Sequence, residues 1–252
     1  MCSLTGDELE RYDRQLGLFG EEGQLRLKRA RVLVAGLGGL GSAISLYLAA
    51  AGVGNLYLVD KDVVSISDLQ RQVLYGVEDL GRPKAYAAAA RLQSLNPMIN
   101  IYPIRADVFG REVEELEVDI YVDALDNWPA RARLDELAWR RGKPLVHGGV
   151  EGFYGQATVI IPGKTPCLRA IMGWRPQAAE GRRIQVAPTT PGIIGLVEAN
   201  EVLKLLLGVG ETLAGRLLIY NGLRPSFEIV EVRASEETLK RCSEGAGPAS
   251  GT

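Results

Sequence analysis

Histidine is nearly missing from this sequence: His147 is the only one in 252 residues. No histidine-based acid–base machinery is therefore on offer. Cysteine is scarce too, with three residues at positions 2, 167 and 242. That is too few and too scattered for a disulfide framework, which predicts a reducing compartment and a cytoplasmic protein. An excess of one charge is also lacking. Twenty-nine Lys and Arg stand against 31 Asp and Glu, a net charge of −2, so nothing marks a duplex-binding surface and no nucleic-acid partner is expected. The first ten residues have neither a basic start nor an apolar stretch, so they do not read as a signal peptide. Residues 32–59 carry no charge over 28 positions, but they hold six glycines, Asn55 and two serines. This stretch reads as strand, loop, helix and strand, and no membrane span is expected.

What is present is ordinary for a globular chain: 46% hydrophobic and 24% charged residues, which excludes a disordered chain, a coiled coil and a collagen-like fibre. Thr5-x-x-Glu8 is a capping box that starts a helix at Gly6, running through Arg11 and Arg14 towards Gly17 or Gly20. Arg31–Gly36 is a short apolar run ending in glycine, hence a buried strand. A helix over 40–51, a strand over 55–60, a long connection over 61–83 and a helix over 84–95 follow. Strands are predicted near 100–105, 119–123 and 145–147, with a helix over 129–140 before the last. This alternation predicts an α/β, Rossmann-like, doubly wound and mostly parallel sheet. In the second half, strands are predicted near 156–161, 216–219 and 227–232, giving an antiparallel C-terminal part. A poorly periodic stretch covers 173–187. Pro191 opens a helix that stops at Gly208, with Ile193, Leu196, Val197, Leu203 and Leu207 as its apolar stripe and Glu198, Glu201 and Lys204 on its polar side. No clean linker interrupts the chain, so residues 1–242 read as one domain and 243–252 as a disordered tail.

Gly36-Leu-Gly38-Gly39-Leu-Gly41 follows a predicted strand and opens a helix, and Asp60 ends the next strand. This is a dinucleotide-type fingerprint in its proper context. Glycines let the backbone approach phosphates, the helix N-terminus offers free N–H groups, and the acid can accept both ribose hydroxyls. The loop alone does not separate NAD, FAD, SAM and ATP. The next segment does: Arg71 and Lys84, with Arg14 available elsewhere, suit a triphosphate better than a ribose-reading acid alone.

Taken together, Arg11-Tyr-Asp-Arg14-Gln15, Gly36-x-Gly-Gly-x-Gly41, Asp60-x-Asp62, Ser67-Asp-Leu-Gln-Arg71-Gln72, Lys84 and Asp126-Asn127 resemble the ThiF/MoeB/HesA adenylating enzymes, relatives of the adenylation domain of ubiquitin-activating enzymes. The resemblance runs from about Leu9 to Val232. It implies an enzyme that uses ATP and Mg²⁺ to adenylate the C-terminal Gly-Gly carboxylate of a small ubiquitin-like or sulfur-carrier protein. It further implies that Gly36, Gly38, Gly39 and Gly41 lie under the phosphates and that Asp60 holds the ribose. Asp62, Ser67 and Asp68 join the nucleotide site, and Arg71, Gln72 and Lys84 hold the polyphosphate. Asp126 helps bind Mg²⁺, Asn127 lies beside the nucleotide, and Arg14 reaches the site of the other subunit of a homodimer. His147 reads as structural.

The sequence departs from the family pattern in four places. Many members bind zinc through two Cys-x-x-Cys pairs, but here the pairs read Cys167-Leu-Arg-Ala170 and Cys242-Ser-Glu-Gly245, so no zinc is expected. No cysteine lies between 167 and 242, which excludes a thioester or persulfide on that loop. Asp68 stands where Asn is common, and a like charge beside phosphates is expected to weaken ATP unless a metal or Arg71 offsets it. No rhodanese-like or catalytic-cysteine domain follows. Two other functions remain open to this sequence: a nucleotide-binding scaffold without turnover, and an NAD-dependent oxidoreductase.

Overall fold

The computed structural model describes residues 3–173 and 185–245. Thr5 caps the first helix as its sequence requires. Its hydroxyl accepts from the Glu8 amide at 3.2 Å, and the Glu8 carboxylate accepts from the Thr5 amide at 2.8 Å. That helix, α1 (Gly6–Arg11), ends sooner than predicted, and α2 (Asp13–Arg29) carries on past both glycines named as its end. Gly20 takes φ 67° and kinks α2 without ending it, because Gly23, Gln24 and Leu27 beyond the kink are buried and hold the helix down.

The rest alternates as expected: β1 (Arg31–Ala35), α3 (Gly39–Ala50), β2 (Asn55–Val59), α4 (Lys84–Leu95), β3 (Asn100–Ile104), α5 (Arg111–Glu114), β4 (Ile120–Asp123), α6 (Trp128–Arg141) and β5 (Leu145–Glu151). Then come β6 (Tyr154–Ile160), α7 (Leu168–Ile171), α8 (Thr189–Leu207), β7 (Arg216–Asn221), β8 (Ser226–Glu231) and α9 (Glu236–Glu244). One eight-stranded sheet runs in the order β3-β2-β1-β4-β5-β6-β7-β8. It is parallel from β3 to β5 and antiparallel from β5 to β8. Alternating side chains feed two cores. Val32 and Val34 pack with α3, α4 and α8 residues such as Ile44, Leu92 and Val202, whereas Leu33 and Ala35 pack with Leu134 and Leu137 of α6. After β1 the chain winds outward through β2 and β3 and returns to β4 on the other side. This switch point opens a crevice beyond the C-terminal ends of β1 and β4, the place where such sheets bind ligands.

Three sequence expectations need correction. The polar side assigned to α8 is not solvated: Glu198 and Glu201 are buried, while Leu196 is exposed. The helix packs against both the sheet and α3, so these carboxyls are covered as well. Glu201 is satisfied there by the Leu213 amide at 2.8 Å and Lys204 at 2.5 Å. The expected tail boundary at 243 falls inside α9, which extends to Glu244 and is capped by Ser235, whose hydroxyl accepts from the Thr238 amide. Residues 246–252 of the expected tail, and most of the poorly periodic stretch, lie outside the described residues. Finally, Cys167 and Cys242 form a disulfide across 75 residues of sequence, with Cα atoms 5.7 Å apart. Distance along the chain says nothing about distance in space, and the argument from unpaired thiols to a reducing compartment loses its footing. Among the described residues, no helix is long and apolar enough to cross a membrane.

Candidate functional site

The crevice at the switch point is a cleft of about 840 Å³. Its floor is the loop between β1 and α3. Gly36 takes φ 88°, and a Cβ there would stand 2.5 Å from the Ala124 carbonyl oxygen, so only glycine lets this loop cross the end of β4. Gly38 and Gly39 line the cleft and begin α3, whose unpaired amides are suited to an anion. Gly41 does not line it. A Cβ on Gly41 would stand 2.0 Å from the Gly36 carbonyl oxygen, so this glycine serves helix–loop packing. Tyr75 donates its hydroxyl to the Leu37 carbonyl at 2.9 Å and secures the loop from the side.

Asp60 follows β2 and accepts from two amides, Leu37 at 2.8 Å and Asp62 at 2.8 Å. Burial pushes its carboxyl up from the usual range, with the two amide hydrogen bonds pulling the other way. Beyond it, the connection supplies Asp62, Ser67, Asp68, Arg71 and Gln72 to the wall, and α4 supplies Lys84 from its first turn. Asp68 is the centre of this group. Its Oδ2 accepts from the Ser65 amide and hydroxyl, both at 2.9 Å, and its Oδ1 from Gln72 at 2.9 Å. Lys84 lies 3.5 Å and Arg71 3.7 Å from its oxygens. Burial would raise the Asp68 carboxyl, but the Ser65 hydrogen bonds and the charges of Lys84 and Arg71 hold it below the usual carboxylate range. The acid therefore lies beside two cations, one of them the Arg71 that the sequence reading named as its offset.

The opposite wall is the turn from β4 into α6. Asp126 and Asn127 are exposed in the cleft, and Asn127 caps α6 by accepting from the Ala130 amide at 3.0 Å. Sequence reasoning missed Arg131, one turn into α6. It donates to the carbonyls of Leu125 and of Gly148, the latter at 2.7 Å, and lies 3.5 Å from Asp123. Its placement four residues after the Asn127 cap was a signal available in the sequence. His147 is buried and donates Nδ1–H to Asp123 at 2.7 Å. Burial lowers the imidazole towards its neutral form, against the pull of Asp123. Asp123 stays well ionised despite burial, through the Arg131 charge and the His147 hydrogen bond. His147 is structural, as read from sequence.

Every nucleotide-site residue expected from the sequence lines this one cleft except Gly41, and Arg14 does not line it either. Arg14 is exposed on α2. Among the described residues, four cations (Lys61, Arg71, Lys84, Arg131) and five carboxylates (Asp60, Asp62, Asp68, Asp107, Asp126) line the cleft. Lys61 is paired with Asp107 at 2.8 Å.

The ThiF family profile matches residues 12–243. A SAMP-activating enzyme E1 of Haloferax volcanii is 43% identical over 96% of this chain and 92% of its own length. A sulfur carrier protein adenylyltransferase of Thermus thermophilus is 44% identical over 91% of this chain and 89% of its own. The fold is also similar to that of E. coli MccB crystallised with ATP, at a TM-score of 0.78 and 22% identity over 92% of this chain and 73% of that one.

Proposed function

This chain belongs to the ThiF family, and we propose that it activates the C-terminal carboxylate of a small ubiquitin-like or sulfur-carrier protein ending in Gly-Gly. It is an ATP-dependent adenylyltransferase: the carboxylate attacks the α-phosphorus, an acyl-adenylate forms and pyrophosphate leaves. The attacking group is already ionised, so no general base is required, and catalysis is positioning and charge neutralisation. The observation that carries this reading is the Gly36–Gly39 loop facing the Asp68-ordered pair Arg71 and Lys84 in one cleft.

In this reading the triphosphate lies over the loop and the N-terminus of α3, with Arg71, Gln72 and Lys84 on its oxygens, Asp60 on the ribose and Asn127 beside the nucleotide. Asp62 and Ser67 complete the wall. Asp126 is an exposed carboxylate at the cleft edge, a hard oxygen donor of the kind that, together with phosphate oxygens, suits Mg²⁺. That ion supplies charge neutralisation for the polyphosphate. Charge balance supports both the ion and a second subunit. A ligand with about four negative charges enters a cleft whose described lining holds five carboxylates and four cations. Arg14 of a second copy would add a cation in trans. Exposed Leu18 on α2, and Ile66 and Val73 flanking the cleft residues, are apolar surface that a homodimer would cover. No zinc enters this scheme. A reaction that consumes ATP belongs in the cytoplasm, and the 1–242 span acts as one adenylation domain.

The test is pyrophosphate exchange into ATP. Exchange that requires a carrier with an intact Gly-Gly end supports the proposal; exchange that persists with the terminal Gly-Gly deleted, or none with any carrier while ATP binds, refutes it.

A further inference from the structure

Helix α9 is held to the fold in an unusual way. It has nine residues, it packs mainly on α6 and α7, and Cys242 is its one buried side chain. A helix this short is marginal on its own, and tertiary contacts must hold it in place. Thr238 and Leu239 are half-buried and the remaining side chains are exposed. Cys242 is bonded to Cys167, the cap residue of α7, and its sulfur also accepts from the Cys167 amide at 3.2 Å. On the far side, α7 is anchored to α6 by the Leu168 amide, which donates to Asp135 at 3.1 Å. The guanidinium of Arg169 lies against Gly245, where an added Cβ would meet its nitrogen at 2.6 Å, so the end of α9 fits closely over α7. One covalent bond thus ties down a helix that otherwise buries little beyond parts of Thr238 and Leu239.

We propose that Cys167 and Cys242 are a reversible redox modification site whose oxidation latches α9 onto α6 and α7 and whose reduction releases it. Both cysteines are fully buried in the closed form, so exchange passes through a state in which α9 has lifted. The oxidant is a small-molecule disulfide, and the reductant, through the same steps in reverse, a small-molecule thiol. The thiolate of one cysteine attacks a sulfur of the reagent, a mixed disulfide forms and one reagent thiol leaves. The thiolate of the second cysteine then attacks the protein sulfur, the protein disulfide forms and the second reagent thiol leaves. The two protons lost by the protein thiols end on the two reagent thiols, and two electrons pass from protein to reagent. The latch is independent of the adenylation reading, and its test uses no activity.

The full chain is equilibrated with oxidised glutathione or with excess reductant, and thiols are titrated in denaturant. Oxidised protein is expected to show one thiol, Cys2, and reduced protein three. Amide exchange of residues 236–244 is expected to quicken on the order of tenfold or more on reduction, while β1 and β4 amides stay protected. Cys242→Ala should exchange quickly without reductant, and Cys2→Ala should behave as the parent. Three titratable thiols after oxidation, one zinc per chain held by these cysteines, or α9 exchange indifferent to reduction would each overturn the proposal.

Discussion

Asp68 lies 3.5 Å from Lys84 and 3.7 Å from Arg71 while accepting three hydrogen bonds from Ser65 and Gln72. An acid at this place therefore acts as the anchor from which two cleft-lining cations, Lys84 and Arg71, are hung. Asp68→Asn puts an amide N–H where donors converge and removes the charge. We expect a loss of roughly 1.5–3 kcal/mol in unfolding free energy and a higher KM for ATP, read by denaturant titration and exchange kinetics. A lower KM would show that the acid merely repels phosphate. Because its folded pKa is depressed, the stability Asp68 contributes is present above the unfolded value of about 3.9 and is lost as pH falls further.

Arg131 ties the carbonyls of Leu125 and Gly148 together and so fixes the turn that carries Asp126. Arg131→Lys keeps the charge but not the fork. The expected outcome is a pyrophosphate-exchange rate that falls more than ATP affinity does, with a raised Mg²⁺ requirement, and a stability loss of about 1.5–3 kcal/mol. Equal losses in ATP affinity and rate would remove Arg131 from this role.

Arg14→Ala and Asp126→Ala should each abolish adenylation if sites are shared between subunits. Mixing the two variants should restore activity, since one site of a mixed dimer keeps both groups. A monomer by light scattering, or no rescue while subunits demonstrably exchange, defeats the shared-site arrangement.

Asp135 is buried in the second core, and burial pushes its carboxyl up to about 7, only partly countered by hydrogen bonds from the Leu168 and Arg169 amides and by the Arg169 charge. Folded protein keeps this proton where unfolded chain, with a pKa of about 3.9, has lost it. Unfolding then releases a proton between those values, so the Asp135 contribution to stability declines as pH rises from about 4 to 7 and is flat above. Melting temperatures of parent and Asp135→Asn should converge towards pH 4 and diverge by pH 7, with the variant the more stable at the upper end. A gap that does not change with pH contradicts the assignment.

The parallel half of the fold and its cleft were legible because β1, β2 and β4 are short apolar runs, each closed by glycine or an acid at the switch point. Their spacing to Arg71 and Lys84 carried the chemistry. What escaped lacked such local marks. Gly17 and Gly20 look like helix ends, yet the burial of Leu27 keeps α2 going. Helix α9 is short and mostly polar, and its marks in the sequence, the Ser235 cap and Leu239 and Cys242 three residues apart on one face, are slight. The burial of Glu198 and Glu201 depends on what packs over α8, and the Cys167–Cys242 pair on how distant segments meet. Neither is written in any window of residues.

The Cys167–Cys242 bond also changes what kind of polymer this is. Between those residues lie α7, α8, β7, β8 and most of α9, so residues 167–242 form a covalent ring, and the chain before it, with the nucleotide loop and β1 to β6, leaves that ring as one linear arm. A protease that cuts once anywhere inside that ring severs the backbone without producing two molecules. The nicked chain keeps its full mass until the bond is reduced and only then comes apart.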